Sequence, residues 1–161
     1  MAGNRSLLRG PTILLEVASV LDTLEYPPSL NTGETPTVYF MSDDDEKAYE
    51  RIELSGQLDN ATVEWNSTGA AVEETVTIGI VIYASEHGQT GPEALARAVE
   101  LCEIVQAGFR NTTTGRPTGL EDITNVISNY RIVGYDLEAF PVMNSGWGVA
   151  YNLLLQVTAR G

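Results

Sequence analysis

The stretch from Glu74 to Arg110 constrains the fold most. Thr75-Val76-Thr77-Ile78-Gly79-Ile80-Val81-Ile82-Tyr83 reads as a strand. Alternation puts Val76, Ile78, Ile80 and Ile82 on one face, while Val81 and Tyr83 make the other face partly apolar, as in a central strand. Gly79 leaves room for close approach in its middle. A polar loop follows, and then Thr90-Gly91-Pro92-Glu93 matches a capping box, with the Thr90 hydroxyl bonding the Glu93 amide and the Glu93 carboxylate reaching back. The spacing predicts a helix from Pro92 to Phe109, with a buried stripe of Leu95, Ala98, Val99, Leu101, Cys102, Val105 and Phe109. At 1.5 Å per residue it is roughly 27 Å long, enough to cover a sheet. A strand and a helix of this kind must bury their apolar sides against each other, so the fold class expected is α+β.

Other elements are weaker. Gly10-Pro11 can open a helix carrying Leu14, Val17, Ala18, Leu21 and Leu24 at helical spacing, ended by Tyr26-Pro27-Pro28. Met1 to Gly10 reads as a loose tail. Short strands are expected at Val38–Met41, Tyr49–Leu54 and Ala61–Trp65, with turn chemistry at Asn66-Ser67-Thr68-Gly69. Ile123–Ile127 starts a further strand or turn, Tyr130–Leu137 is another strand, and Tyr151–Ala159 is the last, with Tyr151, Leu153, Leu155 and Val157 alternating against polar neighbours. The 161 residues fit one domain, 1–161, able to bury roughly 70% of its unfolded surface.

Charge excludes several functions. Nine Lys and Arg against 22 Asp and Glu give a net charge of −13. Nucleic-acid binding needs cations to neutralise phosphate, and an anionic membrane surface needs them too. The same acidity suits a channel that DNA passes without sticking. No run is apolar for the 18 or so residues of a membrane span, and Glu16 interrupts the only N-terminal apolar run, so synthesis and residence in a reducing cytoplasm are expected. Cys102, the single cysteine, has no disulfide partner in the chain and sits among Leu101, Ile104 and Val105 as a core residue.

Catalytic chemistry is hard to find. Ser85-Glu86-His87 has the residue types of a hydrolase site, but triads assemble in space and not from sequence neighbours, so a polar loop is the better reading. One His and one Cys do not make a zinc site. Asp43-Asp44-Asp45-Glu46 lacks the spaced acids and central glycine of a calcium loop and reads as a solvated acidic loop. The glycines have no phosphate-loop spacing, and the sequons at Asn60, Asn66 and Asn111 have no meaning without secretion. No catalytic residue, metal ligand or cofactor is assigned. Trp65 and Trp147, each flanked by turn residues, belong in the core by default, with an interface role as the competing reading.

From about Val63 to Arg160 the order of these pieces resembles the tail terminator (tail-completion) proteins of long-tailed bacteriophages. The pieces are Val63-Glu64-Trp65 and a small-residue turn, the strand opening Glu73-Glu74-Thr75-Val76-Thr77-Ile78, and the helix Ala94-Leu95-Ala96-Arg97-Ala98-Val99. The loop Thr112 to Leu120, the strand Tyr130–Leu137, Gly146-Trp147-Gly148 and a closing Val157-Thr158-Ala159-Arg160 follow. The resemblance implies a structural virion protein made in the host cytoplasm, with an α+β fold in which a mostly antiparallel sheet is packed by the long helix and the N-terminal helix. It would form a homohexameric ring at the head–tail junction, capping the tail tube, contacting the tail tube protein and a head-completion or neck protein, and letting DNA pass its lumen without specific binding. The segment Pro27–Pro36 is longer than that pattern. Expected contact residues, chosen for exposure and composition, are Asp43, Asp44 and Asp45 in the acidic loop, Thr113 and Arg116 in the loop Asn111–Gly119, and Trp65, Trp147 and Arg160. Two other readings stand beside it: a different tail or neck subunit, such as a tube or head-completion protein, and a small cytoplasmic enzyme or ligand-binding domain.

Overall fold

The computed structural model describes residues 10–29, 33–41, 50–65, 67, 71–85, 90–109, 127–142 and 146–160. In chain order the elements are α1 (Gly10–Thr23), β1 (Thr37–Phe40), β2 (Arg51–Trp65), β3 (Ala71–Ser85), α2 (Gly91–Gly108), β4 (Ile127–Val142) and β5 (Gly146–Arg160). They form one five-stranded sheet in the order β1-β2-β3-β5-β4. Every pairing is antiparallel except β1 with β2, which is parallel. The α+β class and the two packing helices are as expected.

β3 is the central strand, and its alternation sets the core. Val76, Ile78, Ile80, Ile82 and Ala84 are buried on one face, level with Ile52 and Leu54 of β2 and with Leu153, Leu155 and Val157 of β5. Both helices lie on this face: Ile13, Val17, Val20 and Leu21 of α1 and Leu101, Cys102 and Val105 of α2 close one cluster with these strand residues. The other face carries no helix among the described residues.

α1 begins one residue earlier than its apolar pattern shows. Gly10, which the sequence reads both as the end of the tail and as part of the Gly10-Pro11 helix opening, is buried as the first helical residue. Its N–H donates to the Glu74 carboxylate at 2.6 Å. An acid at a helix N-terminus satisfies an orphan donor and favours the dipole, by up to ~2 kcal/mol when partly buried. A Cβ on Gly10 would stand 2.8 Å from the terminal methyl of Leu58, so a larger residue there would have to push that side chain aside.

α2 keeps half of its expected capping box. The Glu93 N–H donates to Thr90 Oγ1 at 3.3 Å, but the Glu93 carboxylate accepts from the Thr90 hydroxyl at 3.1 Å instead of from the backbone. Its buried stripe is also rotated from the expected one. Leu95 and Val99 are 40% and 39% exposed, and Ala94 and Arg97 are buried in their place. Small Ala94 and Ala98 let the helix settle against Ala84 and Val149, which turns Leu95 and Val99 outward. Cys102 is in the core as expected; burial pushes its thiol above the ordinary range, and it accepts from Gln106 Nε2 at 3.1 Å.

The two strands expected at Tyr49–Leu54 and Ala61–Trp65 are a single strand, β2. The polar residues between them stay extended because they pair with the long apolar β3, and register shifts after Leu54 and after Asp59 absorb the mismatch. β4 and β5 likewise run longer than the alternation at Tyr130–Leu137 and Tyr151–Ala159 indicates. Residues 123–126 lie outside the described residues.

Candidate interface surface

The expected contact residues do not converge on one place. Trp65 ends β2 and is 51% exposed, and Trp147, near the start of β5, is 41% exposed, so neither takes the core position that composition favours. Trp147 opposes Pro141 of β4 and lies over Gly91, where a Cβ would stand 3.6 Å from the indole. A Cβ at that distance would make ordinary van der Waals contact, so the ring rests against the start of α2 without demanding a glycine, and it stays half open. Arg160 shares a rung with Glu73, one rung from the end of β2 that holds Trp65. Thus Trp65 and Arg160 mark one end of the sheet and Trp147 the other, separated along β5 by roughly 43 Å at 3.3 Å per residue. Asp43, Asp44, Asp45, Thr113 and Arg116, with the loops that carry them, lie outside the described residues.

The helix-free face is polar and acid-rich. Glu53, Asp59 and Glu64 of β2, Glu73 of β3, and Asp136 and Glu138 of β4 fall on it by register. Arg51 and Arg131 are interspersed. Arg51 Nε lies 3.4 Å from Glu53 Oε1, and its guanidinium stacks 3.9 Å from the centre of the Tyr83 ring. Thr75 and Thr158 share a hydrogen bond at 3.2 Å across the strands.

Sequence reasoning missed the buried ion pair of Arg97 and Glu50. Arg97 Nε donates to both Glu50 oxygens at 3.1 and 3.0 Å, and Nη2 donates to Glu50 Oε1 at 3.0 Å and to the Pro27 carbonyl at 2.6 Å. Nη1 reaches Glu100 at 3.2 Å. Burial works to lower the Arg97 pKa, but the Glu50 and then the Glu100 carboxylates hold it above its ordinary value. The pair joins α2, the segment after α1 and the start of β2. It acts as an internal tie. A basic residue inside the Ala94–Val99 stripe was the available signal, but its partner lies 47 residues away.

Nothing described assembles acid–base chemistry. Ser85 is buried at the end of β3, while Glu86 and His87 lie outside the described residues. Among the described residues no group of three or more His, Cys, Asp or Glu stands close enough to hold a metal ion. A cleft of about 600 Å³ opens between the end of α1 and β1, with Asp22, Glu25 and Tyr26 on its wall. Its phenol is already committed: Tyr26 donates to the Leu21 carbonyl at 2.8 Å, and burial, then Asp22, push its pKa up. No helix among the described residues is long and apolar enough to cross a membrane.

No family model matches the chain, and no curated protein matches it. Among solved structures, a chain from the virion of a native gene transfer agent particle is similar over 96% of this chain and 89% of its own length. Its identity is 16% and its TM-score 0.48, a likeness too distant to carry an argument about role.

Proposed function

We propose that this chain is a structural subunit of a phage-type tail, a tail terminator that closes into a ring, covers the end of the tail tube and offers its other rim to the neck of the head. The observation that carries the proposal is the placement of exposed tryptophans at opposite ends of one sheet, Trp65 and Trp147. Large half-exposed indoles are typical anchors of protein interfaces. A ring subunit between tube and neck needs an anchor on each rim. The acid-rich helix-free face suits the lumen, where like charge keeps DNA from adhering. The order of strand, helix and Gly-Trp-Gly pieces in the sequence resembles the terminator family and supports the same reading.

The mechanism is steric and involves no bond chemistry. A ring seated on the growing tube covers the surface that the next tube subunit would use, and elongation stops. The expected result is measurable in tube length. When the cognate tail-tube protein polymerises with this chain present in excess, tubes end early and carry it at one end only. Tubes of unchanged length that exclude it would reject the proposal. Tubes that incorporate it along their whole length would make it a tube subunit.

A further inference from the structure

We infer that neighbouring copies in the ring join edge to edge through their sheets, β4 of one copy adding antiparallel to the outer half of β2 of the next, with Arg131 facing Asp59 and Ile132 facing Leu58 across the seam. This rests on the ring reading proposed above. Among the described residues the strand order leaves β4 paired on one side only, with β5. At the opposite edge, β1 covers only Arg51 to Leu54 of β2, and Met41 leans over Gly56 beyond it. From Gln57 to Trp65, β2 has no strand on its outer side among the described residues. Each copy therefore offers two open rows of backbone donors and acceptors, and such rows are templates for another strand.

The two edges match in direction and level. β4 and β2 run in opposite senses within one sheet, because β2, β3, β5 and β4 pair antiparallel in succession. Rotation about an axis parallel to the strands preserves each sense, so β4 of one copy meets β2 of the next as an antiparallel pair. A closed ring also requires no rise from copy to copy. Followed rung by rung across the sheet, Leu58 is level with Ile78, Leu155 and Ile132, and Asp59 with Thr77, Gln156 and Arg131. Farther along, Thr62 is level with Asn129 and Val63 with Ile127. With strands along the ring axis, the seam would set Leu58 against Ile132 on the helix side and Asp59 against Arg131 on the helix-free side. Like thus faces like where the seam is apolar, and opposite charges meet where it is polar, the pairings that stabilise antiparallel neighbours. Where β1 of the next copy stands, β4 has a register shift between Ile132 and Gly134 that lets its upper part turn aside.

The uncovered side chains choose between partners. Tyr135 and Leu137 of β4 share the helix side with Leu153 and Tyr151, yet are 66% and 42% exposed, because α2 packs on the sheet mainly over β3 and β5. In a head-to-tail seam the incoming copy brings α1, which lies over its β2, onto that same side. In a two-fold pairing of β4 with β4, the nearest helices are both α2, and these side chains stay bare. At the level of the seam β1 stands aside and each copy contributes β2, β3, β5 and β4, so six copies would make a wall of about twenty-four strands roughly 4.8 Å apart, a barrel roughly 37 Å across, wide enough for a duplex.

The test uses the full chain with Asp59→Cys and Arg131→Cys together, each alone, and a second pair, Thr62→Cys with Asn129→Cys, under mild oxidation. Cys102 is buried and stays out of the reaction. Antiparallel neighbours bring Cβ atoms within disulfide reach. The expected result is a reducible ladder ending at six copies for a double variant, and monomers for each single. Disulfide dimers from Arg131→Cys alone would mean β4 pairs with β4 and would overturn the inference. Rings seen by electron microscopy without a cross-link in either double variant would overturn the seam and leave the ring standing. Absence of rings in the unmodified protein, with its tubes present, would instead remove the ring reading and the seam with it.

Discussion

Replacing Arg97 with methionine is expected to cost about 3–5 kcal/mol of folding stability, the range for breaking a buried ion pair from one side. The substitution keeps much of the side-chain length and removes every donor. Glu50 is then a carboxylate only 6% exposed that has lost its cation, and the Pro27 carbonyl loses its 2.6 Å donor. The contact with Glu100 contributes little to this loss, because Glu100 is half exposed and water takes over there. The check is urea unfolding: the midpoint falls while the slope stays constant. Changing Glu50 to leucine alongside Arg97→Met is expected to recover most of the loss, since an apolar pair leaves no buried charge. If Arg97→Met alone falls within about 0.5 kcal/mol of the parent, the range of ordinary surface substitutions, the tie between α2 and β2 is not structural.

Phe109→Ala is expected to cost about 3–5 kcal/mol, the usual range for truncating a buried aromatic. Phe109 is 2% exposed and closes the end of α2, with its N–H donating to the Gln106 carbonyl at 3.2 Å. It belongs to the same cluster as Leu21, Val105 and Leu155. Removing the ring opens a cavity where α1, α2 and the sheet meet, so the loss should appear in thermal and urea unfolding alike. Trp65→Ala, on an exposed strand end, should by contrast leave stability nearly unchanged. If Phe109→Ala proved as mild as that, the core would not extend to the end of α2.

The contrast between these positions shows what the sequence could and could not reveal. Val76, Ile78, Ile80 and Ile82 alternate without interruption beside a capped helix, and such local periodicity fixes a central strand and its cover. Phe109 falls at the end of the same pattern and was placed correctly. Arg97 was not, because a buried cation is legible only with its partner, and Glu50 comes from a segment distant in sequence. β2 was divided in two because Ser55 to Asn60 lacks apolar alternation; Leu58 and Asp59 pair with β3 and join the two halves across register shifts on either side. Trp65 and Trp147 have the core as their default place by composition and were also chosen as contact residues; each sits near the end of a strand and is half exposed among the described residues. The two free edges depend on β5 inserting between β3 and β4, a choice of strand order that no local pattern records. Of the expected contact residues, the tryptophans and Arg160 fall toward the ends of the sheet, and the other five lie outside the described residues.

The central claim is that this chain works as a ring on a tail tube. Negative-stain images of the purified protein, alone and mixed with cognate tail tubes, test it most directly. The account predicts six-fold rings, or tubes capped at one end. A persistent monomer that leaves tube ends bare would contradict it.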